Sequence, residues 1–348
     1  MGKNDCIVVG GGIIGMATAR ELALRGLKVS LFDKGKLGME SSWAAGGILS
    51  PMRPWSENPD SFELSTQGKA CYADFVSDLK QQTGIDPEYY CSGLLMINQD
   101  DVEKTLQWAK NHQISFNEKY KNYPLNMRIP AKSIFLPEIA QVRVPRLLKA
   151  LHASLLDLQV DIFEHAGLDD LDNTQGSLQS VTISGKKHYA DNFIITAGAW
   201  TEKLLKKNHA KIEIEPVLGQ ILCLKFPELR FDMMVLDGGH YFIPRHDGHI
   251  LIGSTMEHVG FSKETSETAK NQLMQWASEL WPDISEAKFV KHWSGLRPAS
   301  NNGKPYVGQL ENYDNVYINA GHFRKGILQA PVCARIIAEM IYQAKLTM

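Results

Sequence analysis

The chain has 348 residues, a formal net charge of −2, 44% hydrophobic and 22% charged residues. That is the make-up of an ordinary globular protein, long enough for one large or two moderate domains. The near-neutral balance shows no basic footprint for nucleic acid, and only a local basic patch is left open.

The chain begins Met-Gly-Lys-Asn-Asp and enters an apolar segment, Cys6 to Ala17. That segment is glycine-rich and far short of the roughly 20 apolar residues of a membrane span. No small-residue cleavage site follows a charged start, so no signal peptide is expected. Cys6 to Val9 reads as a short buried strand. Gly10-Gly11-Gly12-Ile13-Ile14-Gly15 fits G-x-G-x-x-G, and a helical pattern follows from Ile13 to Arg25, closed by Gly26. A second strand, Lys28 to Phe32, ends at Asp33, 18 residues after Gly15.

This unit suits a dinucleotide. Gly10 makes a tight turn, Gly12 lets a pyrophosphate approach the backbone, and Gly15 lets helix and strand pack closely. The phosphates would sit at a helix N-terminus, and Asp33 could accept from ribose hydroxyls. Because NAD and FAD share the adenosine diphosphate, the motif alone does not separate them.

Further along, Phe62 to Thr83 reads as a helix with Tyr72, Phe75, Val76 and Leu79 on one face and Gly84 as its stop. Asp100 to Glu103 fits a capping box for a helix running to about His112. Pro145 suits the first turn of a helix carrying Leu147, Leu148, Leu151 and Leu155, and Val160 to Phe163 follows as a strand. Phe193 to Gly198 is a buried strand with a small-residue turn. Ile212 to Phe226 reads mostly as strand. Tyr241 to Arg245 and His249 to Met256 form a hairpin around Asp247-Gly248. Lys288 to Leu296 and Asn315 to Asn319 are further strands. "GHFRKGIL", residues 321–328, then opens the last helix, which runs to about Tyr342. A nucleotide-binding domain built from separated segments, with a second domain inserted, accounts for α/β units at both ends and a β-rich middle.

Cys6, Cys71, Cys91, Cys223 and Cys333 are scattered, odd in number and without a CxxC, so neither a disulfide framework nor a zinc site is expected. A reducing cytoplasm is the expected compartment. His240, His246 and His249 cluster in the hairpin region, but no carboxylate or cysteine there stands at ligand spacing, and no metal is expected. Trp43, Trp55, Trp200 and Trp293 are read as packing. Lys304 either holds a loop or meets a phosphate.

Six motifs, in order, resemble the D-amino acid oxidase family of flavoproteins, and most of all its glycine oxidase branch. They are "VVGGGIIG" (8–15), "ESSWAAGGIL" (40–49), "FIITAGAW" (193–200), "YFIPRHDGHILIGSTM" (241–256), "WSGLRPASNNGKPYVG" (293–308) and "AGHFRKGIL" (320–328). The resemblance implies an α/β fold with a Rossmann-like FAD domain of glutathione-reductase type. It also implies an inserted α+β substrate domain on an antiparallel sheet. The expected FAD domain comprises 1–85, 140–210 and 290–348, and the substrate domain 86–139 and 211–289.

By the same resemblance FAD is bound non-covalently. Ile13, Ile14, Asp33, Lys34, Ser41, Ser42, Gly46, Gly47, Ile48 and Leu168 should touch it, with Gly10, Gly12 and Gly15 forming the phosphate turn. Gly321, His322, Phe323, Arg324, Lys325, Gly326, Ile327 and Leu328 should wrap the flavin. Tyr241, Met256, Arg297 and Arg324 should line the substrate pocket. The family usually has Glu at Asp33, often Ala at Gly46, and a short tail beyond the position of Met348.

Implied is oxidation of glycine or another small amino acid or amine, with hydride passing to flavin and then to O2, giving H2O2. A pathway role in thiamine biosynthesis is part of that resemblance. No general acid or base is required, because positioning and exclusion of water are the protein's tasks. An arginine fork at Arg297 can hold a carboxylate; an ion pair with Glu311 is the alternative on spacing alone. Lys325 either reinforces a positive field at the flavin or is a surface cation. Three other readings stay open: an amino acid dehydrogenase passing electrons to a quinone, a non-catalytic flavin-binding module, and an NAD-linked dehydrogenase. A homo-oligomer is compatible with the sequence.

Overall fold

A computed structural model of the chain describes residues 4–50, 54–171, 176–206, 211–228 and 231–346. Two large sheets organise these residues. In the first, strands run in the order Tyr306–Gln309, Val316–Ala320, Lys186–Ile195, Asn4–Val9, Val29–Phe32 and Asp161–Phe163. The pairings from Val316–Ala320 to Asp161–Phe163 are all parallel. Such strands are covered on both faces and read as apolar runs; Ile7, Leu31, Phe193 and Val316 are accordingly buried.

Helices Ile13–Leu24, Pro59–Thr83, Val144–Asp157 and Gly326–Leu346 share one core through Met16, Leu22, Tyr72, Leu79, Leu151, Ile337 and Ile341. Two of them cross closely: a Cβ on Gly68 would stand 2.4 Å from the Leu328 carbonyl oxygen. The helix expected from Phe62 starts at Pro59, because Asn58 caps it by accepting from the Asp60 N–H and Pro59 fits the first turn. Gly84 closes it in the left-handed region, at φ +70°. The capping box expected at Asp100 does not form. Its helix is Gln99–Asn111, with Asn98 at the cap making no side-chain bond there. Asp100 and Asp101 lie in the first turn, where carboxylates complement the helix dipole.

The second sheet has seven strands, in the order Lys288–Ser300, Ile214–Lys225, His249–Gly253, His240–Pro244, Met234–Asp237, Leu94–Met96 and Ile134–Leu136. Its hairpin forms as expected around 247–248. The second hairpin strand ends at Gly253 rather than Met256, because Glu257 turns back to bridge Leu218 with two backbone hydrogen bonds of 2.9 and 3.0 Å. Lys288–Ser300 crosses the boundary expected at 289/290 as one strand, paired along Ile214–Lys225. The boundary expected at 210/211 adjoins residues 207–210, outside the described ones, as are the first three residues of the chain.

Candidate active site

The parallel strands deliver their C-terminal ends to one place. Val9 leads into Gly10, Phe32 into Asp33, Ile195 into Thr196 and Ala320 into Gly321, and all four following residues line a cavity of about 530 Å3. Ligands of open α/β sheets bind outside these strand ends. The opposite wall is the antiparallel sheet, through Gly219, Ile221, Tyr241 and Arg297. Backbone forms much of the wall, since eleven of its residues are glycines.

At the nucleotide end, Gly10 has φ +108° and a Cβ there would stand 2.5 Å from the Thr196 carbonyl oxygen. Gly15 lies beneath the turn rather than in the wall; its Cβ would stand 1.8 Å from the Gly10 carbonyl oxygen. Asp33 accepts from the N–H groups of Gly11 at 2.6 Å and Gly35 at 2.7 Å. A carboxylate has about four acceptor sites, so lone pairs remain for a ribose. Gly12, Ile13, Ile14 and Lys34 also face the cavity, as does Leu168 from the strand Leu168–Leu171. Trp200, expected as packing, is in the wall beneath the Lys34 ammonium, which sits 3.1 Å from its ring centroid.

Ser41, Ser42, Gly46, Gly47 and Ile48 form one side of the cavity. Several bonds fix this segment. Ser42 Oγ accepts from the Ile13 N–H, Ser41 Oγ donates to the Leu296 carbonyl, and Trp293 Nε1 donates to the Ala44 carbonyl. Trp43 packs edge-on against Trp293.

At the other end, Arg297 is held by neutral acceptors. Nη1 donates to the carbonyls of Thr255 (3.1 Å) and Leu218 (3.4 Å), and Nη2 to Ser254 Oγ (2.7 Å). The expected alternative partner, Glu311, is not among them. A guanidinium carries five N–H donors, so two remain for a ligand. Burial lowers the Arg297 pKa to about 10, with the neighbouring Arg324 acting in the same sense, which still leaves it cationic at neutral pH. Tyr241 is buried, hydrogen-bonded to Ser254, and its phenol pKa is raised by burial. Gly219 lies in none of the six motifs, and Ser254 lies in one without a role of its own; both matter because the fold brings them to Arg297.

The loop "GHFRKGIL" splits. Gly321, His322, Phe323, Arg324, Gly326 and Ile327 line the cavity. Lys325 does not: it is neither at the cavity nor at the surface, because its side chain turns towards residues 54–58 and pairs with Glu57, both side chains being about nine-tenths buried. Leu328 also leaves the wall, since the helix turn carries it into the core at 1% exposure. Met256 is 57% exposed and stands outside the wall, touching Arg324 Nη2 through Sδ at 3.4 Å. Lys304 holds a loop, pairing with Asp60 at 2.6 Å.

His322 is the one histidine in the wall among the described residues, and it is not available as a base. Its ring nitrogens meet Gln329 Oε1 at 2.8 Å and Asn319 Oδ1 at 2.9 Å, and burial depresses its pKa to about 4. The acids of the wall, Asp33, Glu40 and Asp169, accept from backbone N–H groups or pair with Lys263. Among the described residues, no paired carboxylates or nucleophile–base couple stand in the wall. A glycine-walled cleft with a nucleotide turn at one end and a half-free arginine fork at the other fits FAD plus a small carboxylate.

Among the histidines of the hairpin region, His249 pairs with Asp247 at 2.9 Å, His246 meets the Tyr90 ring edge and His240 stacks on Trp276. No group of three possible metal ligands occurs among the described residues. No described helix is long and apolar enough to cross a membrane.

Comparisons with known proteins show the family. A glycine oxidase of Pseudomonas aeruginosa is 38% identical over 96% of this chain and 94% of its own length. One of Pseudomonas putida is 36% identical over 99% and 96%. The crystal structure of glycine oxidase from Geobacillus kaustophilus superposes with a TM-score of 0.93 at 26% identity, covering 99% of this chain and 95% of that one. The family model of FAD dependent oxidoreductases (DAO) matches residues 5–340, and the chain belongs to that family.

Proposed function

We propose that this chain is an FAD-dependent amino acid oxidase that oxidatively deaminates glycine or a similarly small amino acid. The net reaction converts amino acid, O2 and water into 2-oxo acid, ammonia and H2O2. One observation carries the reading: Arg297 lies across Gly219 in the cavity wall with two N–H groups unspent, beside the buried Tyr241. Both Pseudomonas relatives are glycine oxidases, which supports the small substrate.

The glycine turn, Asp33 and the 41–48 segment would hold FAD, which when bound would supply hydride acceptance from the substrate α-carbon and re-oxidation by O2. This chain's own residues bind and orient. Arg297 takes the substrate carboxylate with parallel N–H donors, fixing both position and angle. Tyr241 and Arg324 bound the same space, with Met256 against Arg324. With no free base among the described wall residues, the amine would arrive neutral, and the wall's work is alignment and exclusion of water. The two-domain division and a reducing cytoplasmic setting belong to the same proposal, supported by the two sheets and by five free cysteines. A place in thiamine assembly is the pathway reading the family resemblance supports.

Peroxide formation by the purified yellow protein, screened over amino acids and N-methyl amino acids, tests this. Peroxide with glycine or another small substrate is expected. Dye reduction without peroxide would assign the electrons to an acceptor other than O2, and neither response would sink the reading.

A further inference from the structure

Arg245 follows the strand His240–Pro244 at the corner of the hairpin, yet its side chain is inside the protein, at 4% exposure. It reaches out of the antiparallel sheet towards the segments at the cavity. Nη1 donates to Gln141 Oε1 at 2.7 Å and to the Val142 carbonyl at 3.1 Å; Nη2 donates to the Gly46 carbonyl at 2.7 Å. All three acceptors are neutral. Two acids that act on it through space, Glu88 and Asp247, are paired with Arg143 at 3.2 and 2.7 Å. Burial lowers the Arg245 pKa to about 10, so it stays charged at neutral pH.

A buried charge hydrogen-bonded only to carbonyl oxygens is expensive, and helix or sheet formation does not require this one. What it touches is specific. Gly46 and Gly47 line the cavity, and Gly47 is held in the left-handed region at φ +80°, with its Cβ position 2.1 Å from the same Val142 carbonyl oxygen. Val142 N–H in turn donates to the Gly47 carbonyl. Arg245 therefore pins both chains of this crossing, and one hydrogen-bonded peptide separates its charge from the cavity.

We propose that Arg245 is a positioning residue for the cofactor: it fixes the Gly46–Gly47 wall and places a permanent positive charge behind it, favouring negative charge on the flavin ring. This rests on the FAD reading above. A preorganised charge in a dry site acts more strongly than in water.

Sulfite tests the charge without substrate, because its lone pair adds reversibly to oxidised flavin and leaves the ring system anionic. Arg245→Gln keeps an amide donor but no charge; Arg245→Lys keeps the charge without the fork. Expected are a sulfite Kd raised on the order of tenfold in Arg245→Gln and within about threefold of wild type in Arg245→Lys, with both variants melting earlier. An unchanged sulfite Kd in yellow Arg245→Gln overturns the proposal. Should Arg245→Gln not fold, Arg245→Lys decides: near-wild-type affinity supports it and a tenfold loss overturns it. A colourless wild-type protein would instead sink the FAD reading, so the two failures are distinguishable.

Discussion

Arg297 occupies the space that any side chain at position 219 would need: a Cβ there would stand 2.0 Å from its Nη2 and 2.2 Å from Cζ. The two lie on neighbouring antiparallel strands, with Arg297 opposite Val217 and Gly219 two residues on. The arginine's orientation is thus set by an absence on the next strand. Gly219→Ala should swing the fork away and raise KM while FAD stays bound. Arg297→Ala removes it. Losing a charge-assisted pair at a desolvated site costs about 2–5 kcal/mol, so KM should rise roughly 30-fold or more. Steady-state kinetics alongside the flavin spectrum checks both; a normal KM in Arg297→Ala would remove the carboxylate role.

The buried pair Lys325–Glu57 ties the loop bearing Arg324 to the start of the helix Pro59–Thr83. Burial pushes the lysine pKa down, with Glu57 opposing. Breaking a buried pair strands one charge, at a cost of about 3–5 kcal/mol. Glu57→Gln should therefore lower thermal stability sharply, whereas Glu57→Gln with Lys325→Met should recover most of it. Melting curves of wild type, both single variants and the double give the coupling; additive losses would show that the pair does not act as one.

His322 makes stability pH-dependent with a definite sign. Its pKa falls from 6.5 to about 4 on folding, so between those values the unfolded chain binds more protons. The stabilisation is whole above pH 6.5 and is lost as pH falls towards 4. Over that pH range the loss amounts to about 3 kcal/mol. Denaturant titrations at pH 7 and pH 4 should show wild type losing up to that much more than His322→Gln; equal losses would place the imidazole in a less restrictive site.

None of the five cysteines lines the cavity, so no thiol is placed to attach a flavin covalently. Acid precipitation should release the yellow colour into the supernatant, and colour retained in the pellet would contradict this.

Much of the site was legible because its residues sit in local patterns. The turn Gly10 to Gly15, Asp33 at a strand tip, and the glycines bracketing residues 322–325 each carry their signal within a few positions. Elements with strong periodicity, such as Pro59–Thr83, were also readable, with errors confined to the ends where caps decide. What escaped depends on pairing across the chain. Gly219, Ser254 and Arg245 become meaningful only when strands far apart in sequence meet Arg297 or Gly46. Lys325 departs from expectation for the same reason: its partner Glu57 is 268 residues away.

Gly326 offers the cleanest test of whether the cavity holds a ring. It lines the cavity as the first residue of the last helix, and its φ lies outside the left-handed region. A Cβ built there would meet only His322 Cβ, at an ordinary 3.7 Å. Alanine therefore fits the protein, and it favours a helix over glycine by about 1 kcal/mol in an interior position. Gly321, by contrast, has φ +83°, so a substitution there would be strained whatever the ligand. For Gly326→Ala the apoprotein should melt no earlier than wild type, while FAD binds more weakly because the methyl enters the cavity. Gly326→Val should go further and abolish binding or nearly so. Apoprotein melting and FAD titration, read together, separate folding from binding: unchanged FAD affinity in Gly326→Val would mean that the ring does not approach this loop.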